Sequence, residues 1–284
     1  MRPWLHLARI SNLPTVWTNV TAAWLLAGGV LNDPRLAWLV LAGSLLYTGG
    51  MILNDAADVK FDREHRKERP IPSGQVSVIA AWSVGLAMMV LGSALAIGFG
   101  ASALGTAALV AAILFYDLYH KPWAGSVIVM GSCRTFLYLM VGSVTEPAKD
   151  SIPWCDDNQV LLAACTLGFY IVGVSLAARS GGRNWTKWLL WMPLLPFLLG
   201  ERPAITTHAT ALAAFVVPVA FAAFVISALI RLKARKVDEA VGLLLAGIVL
   251  ADGLAIAPEH PALALTFVVL APLLRLWQRW VAAT

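Results

Sequence analysis

The chain has 284 residues, 59% of them hydrophobic and only 13% charged, with a formal net charge of +5. Soluble domains carry about a quarter charged residues and show polar helix faces at 3.6-residue period; this composition excludes them and predicts an all-α, polytopic transmembrane helical bundle. Nor does the positive charge point to nucleic acid, because Lys and Arg cluster at alternate loops as topology signals do.

The opening MRPWLHLARISNLP lacks a small-residue cleavage site after an apolar run, so it is not read as a removable signal peptide. Uncharged stretches at 36–54, 76–116, 158–178 and 203–230 match the roughly 20 apolar residues a bilayer core demands. The stretch 76–116 holds two spans, with Gly98, Gly100 and Gly105 at the turn between them. Spans are expected at 13–31, 36–55, 76–98, 102–119, 123–145, 159–178, 186–200, 205–230, 238–257 and 260–280. Of these, 186–200 is short, and 260–280 either crosses or lies in the interface. Basic segments fall at the N-terminus (Arg2, Arg9), 60–69, His120 with Lys121, 179–187, 231–236 and the tail (Arg275, Arg279). The intervening loops, including 252–260 with Asp252, carry the acids. This alternation puts the N-terminus and the 54–74 segment on the cytoplasmic side, and the expected location is a bacterial inner membrane. Cys133, Cys155 and Cys165 have neither metal-ligand spacing nor an even count, and read as packing residues. No soluble domain interrupts the spans, so 1–284 reads as a single membrane domain.

Where the second span ends, the sequence runs NDAADVKFDREHRKERPIPSG. Asn54, Asp58 and Asp62 are spaced i, i+4, i+8, which places them on one face of a helix continuing from that span, with Asp55 one step round. Like charges at that spacing oppose a helix by on the order of 0.2–0.5 kcal/mol per pair, and more when partly buried. A cation is therefore expected among them. Carboxylate and carbonyl oxygens suit Mg²⁺, which keeps waters and shares itself with substrate phosphates, so Asn54, Asp58 and Asp62 are the candidate metal ligands. Lys60, Arg63, Arg66, Lys67 and Arg69 follow and suit phosphate oxygens. The alternative is a solvated loop in which Asp and Arg pair with one another.

NDAADVKFD followed by RPIPSG resembles the UbiA superfamily of intramembrane prenyltransferases, whose first signature is N-D-x-x-D-x-x-x-D at the end of helix two and then R-P-x-x-x-G. The resemblance implies a UbiA-like bundle of nine spans over 1–257, with 258–284 as an additional C-terminal helix. RISNLPTVWTNVTAAWLLAG resembles the family's first helix, where an asparagine faces the cavity, and Asn19 matches it. YDLYHK offers Tyr116 and Lys121 for the family's Tyr and Lys after helix four, with one residue more between them. The implied catalytic residues are Asp58, Asp62, Tyr116 and Lys121, and Asn19, Arg66 and Arg69 join them as substrate-binding residues.

The family's second acidic motif, D-x-x-x-D after helix six, is absent from GVSLAARSGGRNWTK. Ser175 and Arg179 stand where its aspartates would be, and Arg183 and Lys187 follow. Either Arg179 and Arg183 contact a diphosphate directly, or catalysis is lost and the fold binds a lipid substrate, or these residues only set topology. A UbiA-like branch associated with the Ebo gene cluster is similar in the same opening and the same missing motif.

Arg134 sits midway through span five, where an unpaired charge costs at least ~2.5 kcal/mol; it is expected to face the cavity and meet an acid or the substrate. Trp17, Trp24, Phe115, Tyr116 and Tyr138 are candidates to line an apolar, π-rich pocket, or else serve as packing and interface anchors. The implied activity is Mg²⁺-dependent transfer of an isoprenoid group from a prenyl diphosphate to a hydrophobic, aromatic or other small acceptor among membrane lipid. The alternative is a carrier or binding protein for an isoprenoid or amphiphile. A CDP-alcohol phosphotransferase is disfavoured, because no D-G-x-x-A-R element precedes the aspartates.

Overall fold

A computed structural model describes residues 2–119, 123–144, 158–180, 184–199 and 207–278. Among these the chain is helical, with no strand. The elements are α1 (Arg2–Leu7), a 3-10 turn (Ile10–Asn12), α2 (Leu13–Leu26), α3 (Arg35–Ala57), α4 (Val59–His65), α5 (Val78–Gly98), α6 (Ala103–Tyr119), α7 (Ser126–Gly142), α8 (Asn158–Ser180), a 3-10 run (Asn184–Trp191), α9 (Leu194–Leu199), α10 (His208–Lys233), α11 (Val237–Ile256) and α12 (Pro261–Trp277). Helices α3, α5, α8, α10 and α11 are long and apolar enough to cross a bilayer, and α6, α7 and α12 are shorter apolar helices.

Local sequence sets several of these ends. The Ser77 hydroxyl accepts from the Ala80 N–H at 3.1 Å and starts α5. Thr207 and Thr210 form a reciprocal cap at the head of α10. Asp238 and Glu239 occupy the first turn of α11, where the helix dipole favours negative charge.

One expected span and one expected loop are corrected. The segment 186–200 is not one continuous α-helix. Pro193 lacks an N–H and disfavours α geometry in the residue before it, and the chain there divides into the 3-10 run and α9. Asp252 is not in a loop either: α11 continues through it to Ile256, and the carboxylate is fully buried.

α2 and α11 are central. α2 packs on α3, α7 and α11, while α11 packs on α2, α8, α10 and α12. Glycine lets two helix pairs close to backbone contact. A Cβ at Gly49 would fall 2.9 Å from the Gly85 carbonyl oxygen (α3 on α5), and one at Gly131 would fall 2.6 Å from that of Gly168 (α7 on α8). Small residues are the usual means of close helix approach in membranes. The outward surface is apolar, with Val90, Phe215 and Val269 all more than half exposed, as expected of a protein whose surroundings are lipid. The chain is a multi-pass membrane protein.

The charged segment after α3 is tied down from below. Ile71 and Val76 are buried in a small apolar cluster with Leu7, Ile52, Ala56 and Ala81. Its outer face, from Arg63 to Glu68, is exposed, but Asp62 faces inward and is buried.

Candidate active site

α3 ends at Ala57 and α4 begins at Val59, yet the helical course carries across the junction. The Asp58 N–H donates to the Asn54 carbonyl at 3.0 Å, and the Asp62 N–H to the Asp58 carbonyl at 2.9 Å. The i, i+4, i+8 register is therefore kept, and repulsion along it is answered by arginine. Arg69 Nη1 bridges two acids, Asp62 Oδ2 at 2.9 Å and Asp55 Oδ1 at 3.1 Å. Arg9 Nη2 reaches the same Asp55 oxygen at 3.4 Å. It does so from a left-handed backbone conformation (φ 43°), which is uncommon for a residue with a side chain.

Inside the bundle lies a chamber of about 560 Å³. Its apolar wall comes from the middles of five helices: Leu46 on α3, Leu109 and Ile113 on α6, Leu137 on α7, Ile171 and Val174 on α8, and Leu245 and Ile248 on α11. Most of its polar lining comes from one end of that set: the C-terminal ends of α3, α6 and α8 and the N-terminal end of α11. Asn54, Asp58, Tyr116, Asp117, Ser175, Arg179 and Asp238 line it there, joined by Arg9, Arg66 and Arg69. Four arginines thus meet three acids at this end of the lining, with Arg9 and Arg69 already paired to Asp55 and Asp62 behind it.

Of the residues singled out in the sequence, Asn54, Asp58, Arg66, Arg69, Tyr116, Arg134 and Arg179 are brought together on this lining. Lys121 and Arg183 lie outside the described residues. Asp62 does not reach the chamber. It is 1% exposed, with Oδ2 on Arg69 and Oδ1 buried without a hydrogen-bond partner among the described residues. Asn19 does not reach it either, and stands behind Arg134. Arg179 is held by Ser126, whose hydroxyl accepts from Nη2 at 2.8 Å.

Arg134 meets its acid, but through an intermediary. Nη1 donates to Asn19 Oδ1 at 2.5 Å and Nη2 to Thr15 Oγ at 3.0 Å. Asn19 Nδ2 then donates to both carboxylate oxygens of Asp252 at 2.8 Å, and the Tyr138 hydroxyl donates to Oδ1 at 2.5 Å. The guanidinium also lies 5.5 Å from the Tyr47 ring centroid. This network joins α2, α7 and α11 and fixes a cation on the chamber wall.

The aromatic candidates fare unevenly. Tyr116 lines the chamber, and so does Tyr47, which the sequence did not mark. Trp17 is on the outer surface donating to Ser44 Oγ at 3.0 Å, Trp24 is buried and donates to the Val30 carbonyl, and Phe115 is exposed beside Tyr119 and Trp123. Tyr138 is committed to Asp252. Packing or anchoring, the simpler alternative, describes these four.

Sequence reasoning missed Asp117 and Arg9. Asp117 accepts from Asn54 Nδ2 at 3.2 Å, and its other oxygen is buried without a hydrogen-bond partner among the described residues. An acid inside the otherwise uncharged helix 103–119 was the available signal, since ionisable groups at such positions are rare and costly. As for a metal, no three Asp, Glu, His or Cys side chains among the described residues stand close enough to hold one unaided. The lining does offer an amide oxygen and carboxylates. Mg²⁺ is usually held by one or two carboxylates together with substrate phosphate and water, so this donor set fits it.

The chain matches the sequence model of the UbiA prenyltransferase family over residues 14–283. It is 33% identical over 142 residues to a digeranylgeranylglyceryl phosphate synthase of Methanopyrus kandleri, covering 48% of this chain and 52% of that one. It is 38% identical over 82 residues to a 4-hydroxybenzoate octaprenyltransferase of Methylibium petroleiphilum, covering 28% and 27%. The chain thus spans about half the length, or less, of these curated relatives. The solved structure of a UbiA homolog from Aeropyrum pernix K1 superposes with a TM-score of 0.66 at 17% identity, over 86% of this chain and 96% of that one. At that identity the likeness is one of fold.

Proposed function

The chain belongs to the UbiA prenyltransferase family, and from that premise we propose that it is a Mg²⁺-dependent intramembrane prenyltransferase, moving an isoprenoid group from a prenyl diphosphate to an aromatic or other small acceptor. The observation that carries this reading is the division of the chamber: Asn54, Asp58 and arginines at one end, and an apolar interior built by five helices. That division matches a donor with a dianionic head and a hydrocarbon tail.

In this reading Arg66, Arg69 and Arg179 take diphosphate oxygens, for which planar guanidinium donors are well shaped. Lys121 and Arg183 add to them from outside the described residues. Asn54 and Asp58 offer the oxygens for Mg²⁺, which when bound stabilises negative charge on the departing diphosphate. Asp62 contributes by keeping Arg69 in place. The bond from the first prenyl carbon to the diphosphate oxygen breaks with its electrons on oxygen, and the acceptor supplies the new pair and loses a proton. Tyr116 presents a π-face to the positive charge that develops on the prenyl group. The apolar wall excludes water that would capture it, and Arg134, steadied by Asn19, holds an anionic group deeper in the chamber. The clustering of basic segments supports a mouth on the cytoplasmic side of the membrane. The names of the relatives support prenyl transfer as the reaction class.

The test is a labelled prenyl diphosphate incubated with the purified protein and a panel of aromatic and small polar acceptors. We expect a labelled apolar product, one diphosphate released per product, and loss of both on removal of Mg²⁺ with EDTA. A second reading has its own observation: Ser175 and Arg179 line the chamber where the family's second acidic motif would stand. It makes the protein a carrier for an isoprenoid diphosphate. Tight binding with no product across the whole panel selects the carrier and rejects the transferase.

A further inference from the structure

The two acids expected to flank the divalent cation from α3 and its continuation do not share the chamber: Asp58 lines it, and Asp62 does not. A different acid does, from a different helix. Asp117, near the end of α6, lines the chamber and is 4% exposed. Its Oδ1 accepts from Asn54 Nδ2 at 3.2 Å, whereas its Oδ2 is buried with no hydrogen-bond donor among the described residues. A buried acid oxygen without a donor is strongly disfavoured; it is relieved by a proton or by a cation, and on a wall shared with Asn54 and Asp58 a divalent cation serves all three side chains. Asn54 agrees with this. Its amide nitrogen donates to Asp117 Oδ1, which leaves its amide oxygen uncommitted to Asp117 and able to serve the same cation. Asp62 also has a buried oxygen without a partner, Oδ1, but that oxygen lies off the chamber and its carboxylate is already neutralised by Arg69 at 2.9 Å.

We propose that Asp117, in place of Asp62, completes the divalent-cation site with Asn54 and Asp58. The site then draws on two helices and needs diphosphate and water for its remaining positions, as Mg²⁺ sites commonly do. It also places an acid on α6 in a chain that has lost both acids of the second motif on α8. This assignment rests on the diphosphate-binding reading given above, but it holds equally for a transferase and for a carrier.

The experiment measures metal binding, not turnover. Full-length protein in detergent is titrated with Mn²⁺ in the presence of inorganic diphosphate, and bound Mn²⁺ is followed by electron paramagnetic resonance. Asp117→Asn, which keeps an oxygen for the Asn54 amide, is expected to weaken Mn²⁺ binding at least tenfold with an unchanged melting temperature. At saturating diphosphate, Asp62→Asn is expected to weaken Mn²⁺ binding less than Asp117→Asn does while melting earlier, because Arg69 loses a charged partner but keeps Asp55. In Asp117→Cys, Mn²⁺ affinity is expected to fall and Cd²⁺ affinity to rise above wild type, since thiolate prefers the softer ion. That gain is not produced by a residue that only braces Asn54, and it remains readable if Asp117→Asn does not fold. Wild-type Mn²⁺ affinity in Asp117→Asn, a loss confined to Asp62→Asn, or no Cd²⁺ gain in Asp117→Cys overturns the assignment. Absence of prenyl product in the transfer assay leaves these readouts intact, so the two ideas fail separately.

Discussion

Asp252→Ala is expected to destabilise the folded protein by about 3–5 kcal/mol, the range for removing one partner of a buried charge pair. Asp252 is fully buried in α11 and receives both bonds from the Asn19 amide and one from the Tyr138 hydroxyl. Arg134 leans on the other face of that amide. Without the carboxylate, Arg134 keeps Thr15 and Asn19 but loses its counter-charge, and Tyr138 loses its acceptor. Unfolding in detergent, followed by thermal melting or denaturant titration, reads the loss. Adding Arg134→Met to Asp252→Ala is expected to recover part of it, because the uncompensated charge goes too; the double variant then falls short of the sum of the singles. A loss under about 1 kcal/mol, or strict additivity, means that Asp252 and Arg134 do not act as a unit.

Asp58→Ala is expected to lower prenyl transfer by about 10²–10³-fold, the range seen when one group aimed at developing charge is removed, with little change in melting temperature. Asp58 lines the chamber at the junction between α3 and α4. Its neighbour serves as the contrast. Asp55 is paired with Arg9 and Arg69 and does not line the chamber, so Asp55→Ala is expected to lower the melting temperature and, through a loosened Arg69, to reduce activity far less than Asp58→Ala does. Equal activity losses in the two variants, at equal stability, would remove Asp58 from its special place.

The membrane helices were legible because an uncharged run of about 20 residues reports a span without tertiary information. The reading failed where one residue decided the local backbone. Pro193 divided the expected seventh span, and Asp252, assigned to a loop at 252–260, lies within α11. In the site, the register of Asn54, Asp58 and Asp62 was visible as spacing, but spacing does not say which carboxylate an arginine claims. Arg69 claims Asp62 only because the chain returns across an apolar cluster holding Ile71 and Val76. Arg134 was recognisable as a charge requiring an acid. The identity of that acid depended on α2, α7 and α11 converging, with Asn19 between them, and residues 233 apart carry no sequence signal for such a bond. The aromatic candidates could not be sorted for a related reason: a tryptophan on a membrane helix reads the same whether it faces a chamber, a neighbour or lipid.

The measurement that bears most directly on the central claim is an experimental structure of the full chain with Mg²⁺ and a non-hydrolysable prenyl thiodiphosphate. The account predicts the diphosphate between Asp58 and the guanidinium groups of Arg66, Arg69 and Arg179, with the prenyl tail running along Leu109, Ile113 and Ile171 into the bundle. A diphosphate bound elsewhere, or a tail lying on the outer lipid-facing surface with the chamber left to solvent, would contradict it.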